Sequence, residues 1–76
     1  MTGTYPWHRH PDADELFLVL EGELIIEFQD HEAVTLQPSE ILTIPAGVIH
    51  RTRALHRTVN LCFEHTQATT EFLSEH

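Results

Sequence analysis

The sequence predicts an all-β fold, a small barrel or sandwich, on two observations. Short apolar runs that favour strands follow one another along the chain, and turn-forming residues recur between them about every eight to twelve residues. This spacing is typical of β-sandwiches and barrels. The 76 residues contain no internal repeat, low-complexity tract or linker, so we expect a single domain spanning residues 1–76.

The first predicted element is a β-hairpin. Residues 16–20 and 24–28 are two apolar runs, and Gly22 lies between them where a two-residue loop needs a positive φ. The register follows from the loop, because the residue numbers of an antiparallel pair keep a constant sum. The expected pairs are Leu20 with Glu23, Val19 with Leu24, Phe17 with Ile26, and Glu15 with Phe28.

Four further strands are predicted at residues 33–36, 40–44, 49–53 and 58–63, each bounded by turn-forming residues. Beyond them, residues 66–76 are expected to form a short helix or a tail, and this segment has no capping box. The prediction is therefore of strands throughout, with the single candidate helix at the C-terminal end.

The first predicted strand is apolar on both faces. One face carries Glu15, Phe17 and Val19, and the other carries Leu16, Leu18 and Leu20. We expect one face to line the interior and the other to form a homodimer interface, since a chain of this length buries only about 60% of its surface alone. The alternative is that a helix or the C-terminal tail covers the second face.

Composition excludes two classes of partner. Twelve acidic residues against four arginines give a formal net charge of −8 at pH 7, so nucleic acids and anionic membranes are poor partners. No apolar run is long enough for a membrane helix and no leader segment is evident, so we expect a cytoplasmic protein. The single cysteine, Cys62, permits no internal disulfide and is expected to be a small buried residue.

Histidines and one glutamate form the candidate functional site. His8 and His10 are two positions apart, so an extended strand projects both imidazoles from one face. Glu15 begins an apolar inward face, where a carboxylate is unfavourable unless it is paired or binds a cation. A Pro/Gly turn places His50 at the start of another strand. Three imidazoles and one carboxylate suit one divalent ion such as Zn, Ni, Fe or Mn.

The spacing of these residues resembles the two motifs of the cupins. The first motif, G-x5-H-x-H-x3-4-E-x6-G, is matched by residues 3–22, except that Gly3 is one position too close to the first histidine. The second, G-x5-P-x-G-x2-H-x3-N, is matched by residues 39–54, with Ser39 in place of the glycine and Ala54 in place of the asparagine. The matching positions are His8, His10, Glu15, Gly22, Pro45, Gly47 and His50.

The resemblance implies a small cupin β-barrel or jelly-roll sandwich that holds one divalent metal ion. The implied ligands are His8, His10, Glu15 and His50. Cupins commonly dimerise through strand exchange or sheet packing, which agrees with the expected homodimer. The inward residues expected to line a cavity for a small molecule are Phe17, Ile26, Phe28 and Thr52. Glu15 is also a candidate proton acceptor.

The fold leaves more than one function open. One hypothesis is a metalloenzyme, either dioxygenase-like or isomerase-like, and the motifs resemble the small mannose-6-phosphate isomerase-like type. Only four arginines could bind a phosphosugar, which favours an oxidoreductase over an isomerase. The alternative is a non-catalytic binding or sensor module in which the metal is mainly structural. The other histidines match no ligand position and are expected to be solvated: His31, His56, His65 and His76.

Overall fold

The structure, a computed structural model, describes residues 3–64 and 71–72. Over these residues the chain forms strands and no helix. The strands are β1 (Gly3–Thr4), β2 (His8–Arg9), β3 (Glu15–Glu21), β4 (Leu24–Phe28), β5 (Val34–Leu36), β6 (Ile41–Ile44), β7 (His50–Ala54), β8 (Val59–Glu64) and β9 (Glu71–Phe72). None of the described residues belongs to a helix long and apolar enough to cross a membrane.

The strands form two antiparallel sheets that pack as a sandwich. The larger sheet has the order β5-β4-β7-β2-β9, with β1 also paired to β7, and the smaller sheet has the order β6-β3-β8. The all-β sandwich predicted from the sequence is confirmed. Side chains from both sheets meet in one apolar core that comprises Phe17, Val19, Leu24, Ile26, Leu36 and Ile44.

The predicted hairpin is wrong, because β3 and β4 lie in different sheets. Phe17 is paired with Leu42 of β6 and Cys62 of β8, whereas Ile26 of β4 is paired with β5 and β7. The turn at Gly22 therefore carries the chain from one sheet to the other. The prediction of inward faces still holds for β3, whose burial alternates from Glu15 to Val19, because alternation is a property of each strand and not of its partner.

Two positions with positive φ shape the turns that connect the sheets. Gly22 has φ +86°, and a Cβ atom there would lie 2.5 Å from the carbonyl oxygen of Arg57, so only glycine fits. Ser39 has φ 68°, the left-handed conformation that favours glycine, at the motif position where cupins carry glycine. Its amide donates a hydrogen bond to the carbonyl of Val19 at 2.7 Å, which ties this turn to β3.

The later predicted strands correspond to β5, β6, β7 and β8 within about two residues at each end. Of the two alternatives for the C-terminal segment, a helix or a tail, the helix is wrong at Glu71–Phe72, which form strand β9 against β2. The edge of β2 opposite β7 has backbone groups to satisfy, and β9 pairs with them. The remainder of the predicted tail, with His65 and His76, lies outside the described residues.

Candidate metal centre

Three strands and two turns bring the four predicted ligands to one end of the sandwich. His8 of β2 is paired directly with His50 of β7 in the larger sheet, while Glu15 begins β3 in the facing smaller sheet. The Pro/Gly turn before β7 is anchored to the first motif, because the amide of Gly47 donates to the carbonyl of His10 at 2.9 Å. The two sequence motifs are therefore joined by a main-chain hydrogen bond beside the site.

The four side chains converge on one point. His8, His10, Glu15 and His50 are 0–5% exposed, and one potential ligand atom from each lies within 4.8 Å of the others. The Oε1 atom of Glu15 is 3.0 Å from Nε2 of His50 and 3.1 Å from Nε2 of His10. This cluster could hold a metal ion.

The outer nitrogen of each imidazole faces a hydrogen-bond acceptor. Nδ1 of His8 is 2.8 Å from the carbonyl oxygen of Pro6, and Nδ1 of His50 is 2.9 Å from that of Val48. Nδ1 of His10 is 3.2 Å from the carboxylate of Glu64. Because carbonyls and carboxylates only accept hydrogen bonds, each Nδ1 carries the proton. In the neutral imidazoles the lone pair is then on Nε2, the nitrogen used for metal ligation.

This arrangement sets acceptor against acceptor at the centre of the cluster. The bare Nε2 lone pairs of His10 and His50 face the Oε1 atom of Glu15, which also carries only lone pairs. A proton on each imidazole or one divalent cation among them removes the opposition. The chemistry of the donor set, three imidazoles and one carboxylate, fits a borderline divalent ion.

The electrostatics of the cluster favour a neutral His8 and an ionised Glu15. Burial lowers the pKa of His8 below its ordinary value of 6.5, and the backbone hydrogen bond to Pro6 only partly offsets this. Burial raises the pKa of Glu15, but the hydrogen bond that His50 donates when its Nε2 also carries a proton, the hydrogen bond from Cys62 and the charges of His10 and His50 together outweigh it, so the pKa lies below 4.5. A neutral His8 and an ionised Glu15 are the protonation states that metal binding requires.

A cavity of about 270 Å³ opens beside the four ligands. Its described lining residues are Tyr5, His8, His10, Glu15, Phe17, Thr52, Asn60, Cys62 and Glu64. Phe17 and Thr52 were predicted to line it, and they do. Ile26 was predicted too, but it lies fully buried in the apolar core. Phe28 instead lines a separate depression, where its ring stacks on that of His31 with 4.0 Å between the ring centroids.

The sequence prediction missed the part of the lining that comes from β8. Asn60, Cys62 and Glu64 alternate along this strand and all line the cavity. Cys62 was expected to be a buried apolar residue, but it is exposed, and its thiol donates to Oε2 of Glu15 at 2.7 Å. The alternation of polar with apolar residues in β8 was the available signal that these three residues share one face, but it does not tell which face lines the cavity.

The remaining charged and aromatic residues near the motifs lie outside the site. Arg51 donates to Glu27 at 3.1 Å, and its guanidinium lies 4.5 Å from the centroid of the Trp7 ring. Arg57 pairs with Glu21 at 2.9 Å on the surface. His31 and His56 are exposed, as predicted.

Sequence comparison finds similar proteins in a bacterium and in a mammal. The chain is 58% identical over 74 residues to the uncharacterized protein YdbB of Bacillus subtilis (strain 168), covering 97% of this chain and 66% of YdbB. It is 33% identical over 63 residues to 3-hydroxyanthranilate 3,4-dioxygenase of Bos taurus, covering 79% of this chain and 22% of that protein. The chain thus spans just under two thirds of YdbB and less than a quarter of the dioxygenase.

Solved structures share the fold. A cupin-2 domain protein from Shewanella frigidimarina superposes with a TM-score of 0.77 at 38% identity, covering 86% of this chain and 62% of that one. The DMSP lyase DddQ of Ruegeria pomeroyi superposes with a TM-score of 0.79 at 26% identity, covering 95% of this chain and 38% of that one. The family model described as the cupin domain matches residues 2–63, and the chain therefore belongs to the cupin family.

Proposed function

We propose that this chain binds one divalent metal ion and acts with it as a dioxygenase-like oxidoreductase on a small uncharged molecule. The observation that carries the proposal is the position of Oε1 of Glu15, 3.0 Å from Nε2 of His50 and 3.1 Å from Nε2 of His10. These atoms are donors to a cation once the outer nitrogens hold their protons. A bound ion would supply Lewis acidity or, if redox-active, a centre for O₂ chemistry.

The residues of the cavity support a small and uncharged ligand. Phe17 offers an apolar wall, while Tyr5 and Asn60 offer hydrogen-bonding groups. Among the described lining residues the ionised side chains are glutamates and none is Lys or Arg, so the phosphate of a phosphosugar would find no cationic side chain beside the metal site. This disfavours the phosphosugar isomerase, and the isomerase-like type stays a prediction.

Glu15 suits the role of ligand better than the role of general base. Its lowered pKa makes its carboxylate a weak proton acceptor near neutral pH. Its second oxygen already accepts the thiol proton of Cys62 in a hydrogen bond. The carboxylate is thereby held with Oε1 directed at the imidazoles.

A relative named as a dioxygenase and one named as a lyase support an enzymatic reaction, without naming the substrate of this chain. The second candidate is a non-catalytic binding module in which the metal is mainly structural. The observation that favours it is that, among the described lining residues, the one carboxylate besides Glu15 is tied to a ligand, since Glu64 lies 3.2 Å from His10.

Metal content tests the proposal first. We would measure Fe, Mn, Ni and Zn by elemental analysis on untagged protein purified without nickel resin, beside the double variant His8→Ala/His50→Ala. About one equivalent in the wild type and almost none in the variant are expected. A folded wild type that takes up no added ion would overturn the metal site.

Coordination positions of the metal that are open to water would distinguish a catalytic metal from a structural one. Water-proton relaxation on Mn²⁺-loaded protein reports whether exchangeable water reaches the ion, without knowledge of the substrate. Rapid exchange is expected if the cavity serves a reaction, together with O₂ uptake when an Fe²⁺-loaded sample meets small phenolic compounds. A closed ion whose removal unfolds the chain would favour the structural role.

We also propose that a second copy of the chain covers the outer side of the smaller sheet. This outer apolar face comprises Leu16, Leu18, Leu20, Ile41, Leu61 and Phe63. Four of these side chains are 43–57% exposed, and the outward positions that pair in register with Leu16 and Leu18 carry no charge, whereas Glu21 lies beyond the bulge of β3 and pairs with Arg57. In a two-fold dimer the same face of each copy makes the contact. Two copies that each carry a net charge of −8 repel one another least where the contacting face is neutral.

Light scattering tests the homodimer. The wild type is expected at the mass of two chains and Leu18→Asp at the mass of one, because the new charge would be buried between the copies. Thr35→Asp on the exposed edge strand β5 is the matched control and should leave the dimer intact. A monomeric wild type, or an intact dimer of Leu18→Asp, would overturn the proposal that a second copy covers the outer apolar face.

A further inference from the structure

The strand β8 lies against the metal centre without contributing any of its four ligands. It pairs with β3 so that Glu64 is opposite Glu15 and Cys62 is opposite Phe17. Cys62 and Glu64 are two positions apart and both line the cavity. The strand therefore presents a thiol and a carboxylate to the outer side of the cluster.

The thiol of Cys62 holds one oxygen of the Glu15 carboxylate. Its Sγ atom donates to Oε2 at 2.7 Å, while Oε1 of the same carboxylate faces His10 and His50. The two oxygens are equivalent, but a partial rotation of the carboxylate about its terminal bond would move one oxygen away from the thiol and the other away from the imidazoles. The contact with the thiol thus holds the plane of the carboxylate so that one oxygen points into the cluster.

The carboxylate of Glu64 holds His10 in a way that differs from the other two imidazoles. Nδ1 of His8 and Nδ1 of His50 each face a main-chain carbonyl, whereas Nδ1 of His10 faces an ionisable side chain at 3.2 Å. A carboxylate at this position fixes the tautomer and raises the basicity of the nitrogen on the other side of the ring. It also adds a negative charge beside a site that would bind a cation.

We infer that Cys62 and Glu64 are positioning residues of the metal centre, Cys62 acting through Glu15 and Glu64 acting through His10. The inference rests on the proposed metal site and assigns to β8 the support of two of its four ligands. Removal of either contact should weaken metal binding while leaving the metal-free fold in place, because the side chain of Glu64 is 39% exposed and Cys62 is exposed.

Metal affinity, measured by competition of Zn²⁺ with a chromogenic chelator, tests the inference. Glu64→Gln keeps an acceptor for Nδ1 but removes the charge, and Glu64→Leu removes both. We expect a loss of affinity of about 10-fold for the first variant and up to about 100-fold for the second, the range found for such outer partners. Glu32→Gln removes one exposed negative charge from a distant loop and is the matched control, with unchanged affinity expected.

Cys62 is tested by a pair of variants. Cys62→Ala removes the donor to Oε2 and should lower the affinity, whereas Cys62→Ser keeps a donor and should restore most of it. Melting temperatures of the metal-free proteins should stay within about 2 °C of the wild type, a shift well below that of a lost core contact. A purely structural role would instead lower the metal-free melting temperature, and serine would not restore the affinity.

The outcomes separate this inference from the proposed function. A wild type that binds no Zn²⁺, Mn²⁺ or Fe²⁺ overturns both. A wild type that binds metal, with Glu64→Leu and Cys62→Ala binding equally well, overturns the positioning roles and leaves the four-ligand site intact.

Discussion

The two ends of the sandwich interior are equally buried and chemically opposite. At one end, Val19, Leu24 and Ile26 are 0% exposed and pack only apolar atoms against one another. At the other end, Glu15 is 5% exposed and His50 is 0% exposed. The same strand β3 runs from Glu15 to Val19 and so joins the two ends. Burial stabilises the fold at the apolar end, whereas at the polar end it is unfavourable unless each group finds a partner.

The difference explains how a short chain can carry both a core and a site. The apolar end supplies folding free energy that does not depend on a ligand. The polar end concentrates the unfavourable burial at one place, where a divalent cation can offset it. Phe17 and Thr52 lie at the boundary, since both are buried and both line the cavity. Variants at the two ends should therefore respond differently to metal.

The largest effect is expected from a cavity at the apolar end. Ile26→Ala should lower the free energy of unfolding by about 2–5 kcal/mol, because the fully buried side chain is lost and the space is only partly refilled. Urea unfolding of the metal-free protein measures it. If this variant does not fold, Ile26→Val should cost about 0.5–1.5 kcal/mol. A loss that disappears when metal is added would contradict the independence of the two ends.

Removal of a ligand should affect the polar end alone. His50→Ala is expected to lower metal occupancy, and to lower the melting temperature of the metal-loaded sample towards that of the metal-free protein, because binding to the native state stabilises it. Elemental analysis and calorimetry measure the two quantities. His56→Ala, at an exposed histidine, is the control and should change neither. Unchanged metal content in His50→Ala would remove His50 from the site.

Acid should weaken the polar end in two stages. The pKa of His8 is lowered by burial below 6.5, so the unfolded chain binds this proton more readily and stability falls as the pH drops below about 6.5. The pKa of Glu15 lies below 4.5 despite its burial, because the hydrogen bond that His50 donates when its Nε2 also carries a proton, the hydrogen bond from Cys62 and the charges of His10 and His50 together lower it more than burial raises it. Its contribution is therefore complete above pH 4.5 and is lost as the pH falls through the lower folded value.

Urea unfolding of the metal-free protein at a series of pH values measures this dependence. His8→Gln should flatten the decline that begins below pH 6.5 and leave the second stage, since Glu15 still titrates. A wild-type profile without any decline below pH 6.5 would contradict the assignment to His8.

The smallest effect is expected at the turn beside the apolar end. Ser39 has φ 68°, a conformation that costs an L-residue about 1–2 kcal/mol, of which the greater freedom of glycine in the unfolded chain cancels part. Ser39→Gly should therefore raise the free energy of unfolding by about 0.5–1 kcal/mol. Metal affinity should be unaffected. A destabilised variant would show that the hydroxyl contributes more than the backbone strain costs.

The alternation of apolar residues along the chain predicted which side chains of β3 point inward, but it did not predict which strands pair. Phe17 and Val19 were assigned to the inward face and lie in the core. The predicted hairpin was wrong because a short turn at Gly22 can connect two paired strands or two strands that lie in different sheets, as it does here. Both arrangements bury the same alternate side chains, so the pattern alone does not distinguish them.

The lining of the cavity shows the same limit. In β8 the inward positions are polar and the outward positions, Leu61 and Phe63, are apolar, which is the reverse of the usual pattern of a half-buried strand. The reversal makes sense only when the polar cavity and the outer apolar face are both known. For this reason Cys62 and Glu64 were not singled out as neighbours of the site.

The sequence by itself determined the strand content, the inward positions of β3 and the spacing that gathers His8, His10, Glu15 and His50. The strand content and the inward positions depend on backbone conformation and on side-chain alternation, which are local properties of the chain, whereas the four ligands were identified from the resemblance of their spacing to the cupin motifs. Only the tertiary structure decided which sheet each strand joins, and which groups hold Glu15 and His10 from outside. Those contacts join β8 to residues far away in sequence, and hydrogen bonds between distant strands leave no periodic trace in the amino-acid order.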